Sequence, residues 1–200
     1  MSQNADFLLD YKLEGENLPI FTYPAPVLKK IAVEIKETDF GEELNTLVRN
    51  MLFTMYHAPG IGLAAPQIGK SIRLFVMDVD FTREEIANSD GEQEYKLSNF
   101  NPRVFINPVI RDKTGEMLYE EGCLSVPGVY EEVKRAEHIF VDYLDLEGNK
   151  QTLEANELLA ICIQHENDHL DGIVFLERLS MLKKNLLTKK YLKQKKKPAL

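Results

Sequence analysis

Residues 161–170 read Ile-Cys-Ile-Gln-His-Glu-Asn-Asp-His-Leu and place a His-Glu-x-x-His motif inside an apolar run of helical character. Because residues four apart share one face of an α-helix, His165 and His169 can bind one metal ion together, with Glu166 beside it. Neutral imidazoles supply nitrogen ligands, and a neighbouring carboxylate can take a proton from water and return it later. The apolar residues around the motif predict a largely buried helix that carries a metal site.

Two histidines do not complete a metal site, so a third ligand is needed. No histidine follows His169, which removes the downstream ligand of the metzincin pattern. Cys162 lies seven residues before His169, roughly 10.5 Å along a helix axis, which is too far for both to bind one ion comfortably. Cys123, within Glu-Gly-Cys-Leu-Ser at residues 121–125, is the better candidate. One Cys and two His leave a fourth position open, as in a catalytic metal site.

The composition is that of an ordinary globular protein. The chain has 200 residues, 44% of them hydrophobic and 28% charged, which predicts one domain with a sizeable core. No apolar run approaches the roughly 20 residues that span a bilayer, and the N-terminus has no signal pattern, so no membrane association is expected. Two cysteines without a repeated spacing do not form a disulfide framework, and a thiolate ligand suits a reducing compartment. We therefore expect a cytoplasmic protein.

Positive charge is concentrated at the C-terminus. Residues 183–200 contain eight lysines and no acid, so the remaining residues contain 24 minus 8, or 16, basic residues against 32 acidic ones. The body, at a net charge of −16, should not bind DNA or RNA non-specifically, whereas the tail at +8 could bind an anionic surface. Residues 180–197 are predicted to form a lysine-rich helix, and a solvated terminal helix without a binding role is the main alternative.

The remaining pattern predicts an α+β fold. Helical spacing of apolar residues predicts a helix over residues 40–57, with Asp39 offering the N-cap. The predicted strands are residues 72–79, 104–107, 131–145 and 152–154. We expect Pro108 to stop the second strand, a hairpin turn at residues 147–149, a long surface loop at 81–101, and Asn156 as the cap of the metal-site helix. The expected architecture is one small domain of mostly antiparallel strands around a central helix with the His-Glu-x-x-His motif, plus a C-terminal helix.

Residues 60–67, Gly-Ile-Gly-Leu-Ala-Ala-Pro-Gln, interrupt the helical pattern. Small residues let a backbone approach a ligand closely, and Gln67 could offer an amide N–H to a developing oxyanion. A phosphate-binding loop is a weaker alternative, because the third glycine and the Lys-Ser/Thr of such loops are missing. Taken alone, the stretch is equally consistent with a tight connection between strands.

Three segments, residues 60–67, 121–125 and 164–169, together resemble the three signature motifs of peptide deformylases, in the same order. The resemblance extends from about residue 20 to 182. It divides the chain into an N-terminal extension at 1–19, a catalytic domain at 20–182 and a basic C-terminal tail at 183–200. It implies a metal-dependent hydrolase that removes the formyl group from the initiator N-formylmethionine of nascent polypeptides and releases formate.

The resemblance also implies a role for individual residues. The implied metal ligands are Cys123, His165 and His169, and the metal would be Fe²⁺ in the cell, with Zn²⁺, Ni²⁺ or Co²⁺ as substitutes. Glu166 would act as general base and then as acid, while the Gln67 side chain and the Leu124 backbone N–H would stabilise the oxyanion. The implied substrate-binding residues are Ile61, Gly62, Leu158, Ile161 and Cys162. Arg135 and Asp168 would pair to brace the helix, and the basic C-terminal helix would attach the enzyme to the ribosome.

The chain departs from the family pattern in three places. Tyr130 stands where many relatives have Arg, residues 81–101 are longer than in compact members, and residues 1–19 have no assigned counterpart. Three alternatives remain at this point. One is another His-Glu-x-x-His metallopeptidase, and one is a non-catalytic structural zinc domain, which needs a fourth ligand such as Cys162. The third is an RNA-binding or ribosome-bound module without catalysis, which would depend on the tail alone.

Overall fold

The computed structural model describes residues 8, 11–58, 60–87 and 93–196. The helices with bounds in these ranges are α1 (Glu42–His57), α2 (Glu157–Leu170) and α3 (Met181–Lys195). The strands are β1 (Gly62–Ala64), β2 (Leu74–Met77), β3 (Thr82–Ala87), β4 (Gln93–Ser98), β5 (Arg103–Thr114), β6 (Met117–Gly122), β7 (Tyr130–Arg135), β8 (His138–Leu144) and β9 (Lys150–Asn156). Short 3-10 helices lie at Pro26–Lys29, Glu37–Asp39, Ala65–Ile68 and Phe175–Arg178. The predicted α+β class is confirmed.

Five strands form one antiparallel sheet in the order β1-β2-β5-β8-β9. Two separate antiparallel ribbons, β3–β4 and β6–β7, extend from it. The predominance of antiparallel pairing agrees with the prediction.

The five-stranded sheet has a helix on each face. Neighbouring residues in a strand point to opposite faces, so Val76 packs in the cluster that contains α1, while Phe75 and Met77 pack in the cluster that contains α2. A strand that is buried on both faces reads as a continuous apolar run, which explains Leu-Phe-Val-Met in β2. Between Ala160 and Leu170, every residue of α2 except Asn167 is buried. The predicted central helix is therefore confirmed.

The prediction of a surface loop at residues 81–101 was wrong, because β3 and β4 pair there in an antiparallel ribbon. Residues 88–92, between the two strands, lie outside the described residues. Hydrophobic alternation, which is the main sign of a strand in a sequence, is missing from β3 and limited to Tyr95 and Leu97 in β4. Their pairing instead includes an opposite-charge cross-strand pair, Glu84 and Lys96, that only the register reveals.

Pro108 does not stop its strand, contrary to the prediction. β5 continues to Thr114, and its register with β8 shifts between Ile106 and Val109, so the proline lies within a β-bulge. A bulge leaves a backbone position outside the ladder, where the missing N–H of proline has no cost.

Residues 131–145 form two strands in different sheets and not the single predicted strand. The break comes at Ala136, whose N–H donates to Gln164 Oε1 in α2 at 3.1 Å and whose carbonyl accepts from Gln164 Nε2 at 2.8 Å. A buried side chain of α2 thus replaces a strand partner at this position.

The ends of the helices agree with the predictions in part. α1 begins with Gly41 at the N-cap position, whereas the expected cap, Asp39, closes a 3-10 turn by accepting from Lys36 N at 2.9 Å. Asn156 occupies the predicted N-cap position of α2, without a side-chain hydrogen bond to the helix. The predicted turn at 147–149 joins β8 to β9, with Gly148 at φ +80°.

The described part of the N-terminal extension is attached to α1. Tyr11 is buried in the core, Glu16 N donates to Asn50 Oδ1 at 2.9 Å, and Leu18 N donates to Thr54 Oγ1 at 2.9 Å. The first seven residues of the extension lie outside the described residues. The division of the chain at residues 19 and 182 stays a prediction.

The C-terminal helix α3 packs on the body through one side. Tyr191 is buried among Leu28, Val126 and Phe175, whereas Leu182 and Leu186 are exposed. The predicted boundary at residue 182 falls inside this helix. None of the helices in the described ranges is long and apolar enough to cross a membrane.

Candidate active site

Three potential metal ligands converge on one point. α2 presents His165 and His169 one turn apart, and the loop after β6 brings Cys123 to them. One ligand atom from each residue lies within 4.8 Å of the other two, and Cys123 Sγ is 3.3 Å from His169 Nε2. A thiolate with two imidazoles suits divalent ions such as Zn²⁺ and Fe²⁺. Cys162 is not part of this group, in agreement with the spacing argument.

Glu121 orients His165. Its Oε2 lies 2.8 Å from His165 Nδ1, which leaves Nε2 for a metal, and a carboxylate commonly supports a metal-binding histidine in this way. Arg135 donates to both oxygens of Glu121, from Nε at 2.7 Å and from Nη2 at 2.9 Å. Burial alone would raise the pKa of Glu121, but the hydrogen bonds from Arg135 and His165 outweigh it and hold this pKa at about 2. Glu121 is therefore ionised at neutral pH.

The predicted contact between Arg135 and Asp168 is present, with Nη1 2.6 Å from Oδ2. Arg178, just before α3, also donates to Asp168, from Nε at 2.9 Å. The side chains of Glu121, Arg135 and Asp168 are at most 7% exposed. Separating the members of such a buried network would leave uncompensated buried charges, which is strongly destabilising. The network therefore holds α2, which carries Asp168, against β6 and β7, which carry Glu121 and Arg135. Sequence reasoning missed Glu121 and Arg178, although the place of Glu121 beside the Cys123 motif was an available signal.

Glu166 is a buried carboxyl group with one oxygen unused. Its Oε2 has no hydrogen-bond partner among the residues that the structure describes. Burial raises the pKa of Glu166 to about 7, which suits a group that both accepts and donates a proton near neutral pH. The carboxyl group lies against Gly62 in β1. A Cβ atom at position 62 would come within 2.8 Å of Glu166 Cδ, so any side chain there would displace the carboxyl group.

Gln67 is held with its amide nitrogen facing the candidate metal site. Its Oε1 accepts from Ala64 N at 2.8 Å, which directs Nε2 toward Ser125 Oγ at 3.2 Å and Cys123 Sγ at 3.7 Å. An amide fixed in this way offers N–H groups to negative charge that develops beside the cluster.

A cavity of about 490 Å³ opens over these groups, within the range of small-ligand sites. The predicted site residues in its lining are Ile61, Gly62, Gln67, Cys123, Leu124, Leu158, Ile161, Cys162, His165 and Glu166. The predicted ligand His169 is not a lining residue, but its Nε2 lies 3.3 Å from Sγ of the lining residue Cys123. Sequence reasoning did not identify the lining residues Ile20, Ala58, Tyr119, Glu120 and Val129.

The inner and outer ends of the cavity differ in character. At the inner end, Cys162 Sγ lies 3.8 Å from the Ile61 carbonyl, and burial raises the pKa of the Cys162 thiol well above its ordinary value. This cysteine is therefore an uncharged part of an apolar wall. At the mouth, the ring of Tyr130 covers Gly122, and Tyr130 is 64% exposed.

The comparisons with known proteins agree on one family. The family model described as polypeptide deformylase matches residues 17–185. The chain belongs to the peptide deformylase family. It is 48% identical over 179 residues to the peptide deformylase of Neisseria gonorrhoeae, which covers 90% of this chain and 96% of that protein. It is 46% identical over 180 residues to peptide deformylase 2 of Xanthomonas axonopodis pv. citri, with the same two coverages.

Solved peptide deformylases share the fold. The crystal structure from Legionella pneumophila has a TM-score of 0.74 at 41% identity and covers 91% of this chain and 99% of that chain. The class I type b enzyme from Acinetobacter baumannii, determined with Met-Ala-Ser bound, has a TM-score of 0.70 at 32% identity and covers 83% and 100%. As a peptide deformylase, this chain is a metal-dependent hydrolase that removes the N-formyl group from nascent peptides. Membership in this family decides against the metallopeptidase, structural-zinc and non-catalytic alternatives.

Proposed function

We propose that Cys123, His165 and His169 bind one divalent metal ion, which is Fe²⁺ in the cell and replaceable by Zn²⁺, Ni²⁺ or Co²⁺. The proposal is supported by the donor set, since its three ligand atoms lie within 4.8 Å of one another. When bound, such an ion supplies Lewis acidity toward the formyl carbonyl and a water molecule. Metal analysis of protein purified without air tests its identity, with about one iron per chain expected from three ligands at a single site.

Glu166 carries the proton in the proposed reaction. It takes a proton from the attacking water and gives it to the nitrogen that leaves when the C–N bond of the formamide breaks, so that formate and a free amine result. The observation that carries this assignment is the unpaired Oε2 of Glu166, buried beside the three ligands. The Gln67 side chain and the Leu124 backbone N–H stabilise negative charge on the formyl oxygen. The anchoring of Gln67 Oε1 by Ala64 N supports this role.

The apolar end of the cavity accepts the methionine side chain in this proposal. Its proposed walls are Ile61, Leu158, Ile161 and Cys162, and Gly62 hydrogen-bonds the substrate backbone. Support comes from the position of these residues around one cavity with the candidate ligands at its base. The Acinetobacter baumannii relative was determined with Met-Ala-Ser bound, a peptide that begins with the same side chain.

The products formed from formyl-Met-Ala-Ser test this assignment. We expect the metal-loaded protein to release formate and Met-Ala-Ser in equal amounts, because the reacting groups lie next to the pocket proposed for the first side chain. Mass spectrometry of the peptide products together with a formate assay measures both. Release of formyl-Met and Ala-Ser without formate would indicate a peptidase and would contradict the proposal.

We further propose that the enzyme works in the cytoplasm at the ribosome and that α3 provides the contact. Nascent formylated chains emerge there, from a surface rich in RNA phosphate. Lys189, Lys190 and Lys193 of α3 are exposed and have no acidic partner in the part of the chain that the structure describes. Lys183, in contrast, pairs with Glu131 at 2.9 Å. The unpaired lysines would confine attraction to one side of an acidic protein.

Replacing Lys189, Lys190 and Lys193 together by Gln is expected to weaken ribosome binding, because the change removes three positive charges that would contact RNA phosphates. Hydrolysis of a short formyl peptide should stay within about twofold of the wild-type rate, because none of the three lysines lines the cavity. Substitution is preferable to truncation because truncation would also remove the buried Tyr191. Co-sedimentation at several salt concentrations measures the effect, and the salt dependence should become shallower by roughly 0.7 to 0.9 in log–log slope per lost contact.

The matched control replaces three exposed lysines elsewhere, Lys36, Lys113 and Lys150, by Gln. It makes the same change in net charge and should bind ribosomes as the wild type does. Equal ribosome binding by both triple variants would show that α3 is only a solvated terminal helix.

A further inference from the structure

One wall of the cavity is formed by residues that directly follow the C-terminal end of α1. Ala58, Gly60 and Ile61, which line the cavity, follow the last residue of that helix. Carbonyl groups in the last turn of a helix have no donor within the helix. Arg83, in β3, supplies one from outside, because its Nη2 donates to Tyr56 O at 2.7 Å and to Ala58 O at 3.1 Å. The first residue of the wall is thus held by a side chain of the β3–β4 ribbon.

The other end of the wall is also tied to the base of this ribbon. Asp78 N donates to Ile61 O at 2.9 Å. The Asp78 carboxylate is buried and accepts from the N–H groups of Phe81 at 3.1 Å and Asn101 at 2.7 Å, which flank the ribbon on its two sides. It also accepts from the Tyr56 hydroxyl at 2.6 Å. The ribbon, α1 and the cavity wall therefore form one connected hydrogen-bonded unit.

The Arg83 guanidinium is held in place from two directions. The ring of Tyr95, on the paired strand β4, covers it with 5.1 Å between the guanidinium carbon and the ring centroid. A cation over an aromatic face is attracted to it, and a cation at a helix C-terminus is favoured by the helix dipole. The Arg83 side chain therefore has a defined position, and its hydrogen bond to Ala58 O fixes the position of Ala58 in turn.

We propose that Arg83 is a positioning residue that sets how closely the wall of Ala58, Gly60 and Ile61 fits the side chain of the substrate's first residue, an inference that rests on the proposed methionine pocket. Arg83 itself does not line the cavity. Its effect is indirect, because it fixes the wall residues that contact the substrate. An apolar pocket discriminates between side chains by close contact, and it loses that discrimination when one of its walls shifts away from the substrate. The β3–β4 ribbon, which sequence reasoning treated as a loop, thereby becomes part of the specificity of the enzyme.

The test is the ratio of kcat/KM for formyl-Met-Ala-Ser to that for formyl-Ala-Ala-Ser. We expect Arg83→Ala to lower this ratio about tenfold, the lower end of what one methylene contact gives, through a higher KM for the methionine peptide with kcat within about twofold. Arg83→Lys keeps a cation with several donors and should lower the ratio less. The control Arg111→Ala removes an exposed ion pair with Asp142, between strands β5 and β8 and outside the cavity lining, and should leave the ratio unchanged.

An unchanged ratio in Arg83→Ala would overturn the inference, and so would an equal fall in kcat for both peptides, which indicates a general structural loss. If Arg83→Ala does not fold, Arg83→Lys decides. A reduced ratio in that variant supports the inference, and a wild-type ratio contradicts it. Failure of the proposed pocket is distinguishable, because the wild-type enzyme itself would then show no preference for the methionine peptide.

Discussion

The Glu166→Gln protein is expected to keep its metal and to lose about 10²- to 10⁴-fold in the rate of formate release. The amide preserves the size and shape of the side chain and is not one of the proposed ligands, but it cannot take a proton from water. Steady-state rates with formyl-Met-Ala-Ser, together with the metal content of the same sample, measure both parts of the prediction.

A matched control for this variant is Glu157→Gln, which changes an exposed carboxylate in the first turn of the same helix. It should retain wild-type activity because Glu157 lies outside the cavity lining. Near-normal turnover by a fully metallated Glu166→Gln protein would remove the assigned proton carrier and with it the proposed mechanism.

The Cys123→Ala protein is expected to lose metal binding, and its activity with it, because the change removes one of three proposed protein ligands. Loss of a supporting partner around a metal ligand already costs about 10- to 100-fold in affinity, so loss of the ligand itself should exceed that range. Metal content after dialysis against buffer of defined free metal concentration measures the change.

Cys162→Ala provides the comparison within the same cavity. The Cys162 thiol lies against the Ile61 carbonyl and outside the cluster of candidate ligands, so this variant should retain its metal. Its KM for the formyl-methionine peptide should rise, because the proposed pocket loses a wall atom. Metal loss from Cys162→Ala with retention in Cys123→Ala would reverse the ligand assignment.

The parts of the site that were predictable depend on short-range geometry. His165 and His169 share a helix face because of their spacing alone, and the same geometry removed Cys162 from the ligand set. The contribution of Cys123 was harder, since it comes from a loop more than 40 residues away. The need for a third ligand and the order of three motifs pointed to it, and the structure places its sulfur 3.3 Å from His169 Nε2.

The parts that sequence reasoning missed depend on pairing between distant segments. The β3–β4 ribbon has hydrophobic alternation only at Tyr95 and Leu97, which is too short to predict two strands, so they become visible through their cross-strand pairs. Pro108 is tolerated because the register of β5 shifts around it, which no local pattern reveals. Glu121 was hidden for a similar reason, since its partners His165 and Arg135 come from a helix and another strand.

The measurement that tests the central claim most directly is a titration of the metal-free protein with Fe²⁺ or Ni²⁺, without air, while formate release from formyl-Met-Ala-Ser is followed. One cluster of three ligands predicts that the rate is negligible without metal, rises in proportion to added metal and reaches a plateau at one ion per chain. Formate release that is independent of metal, or none from a protein with one ion bound per chain, would contradict the account.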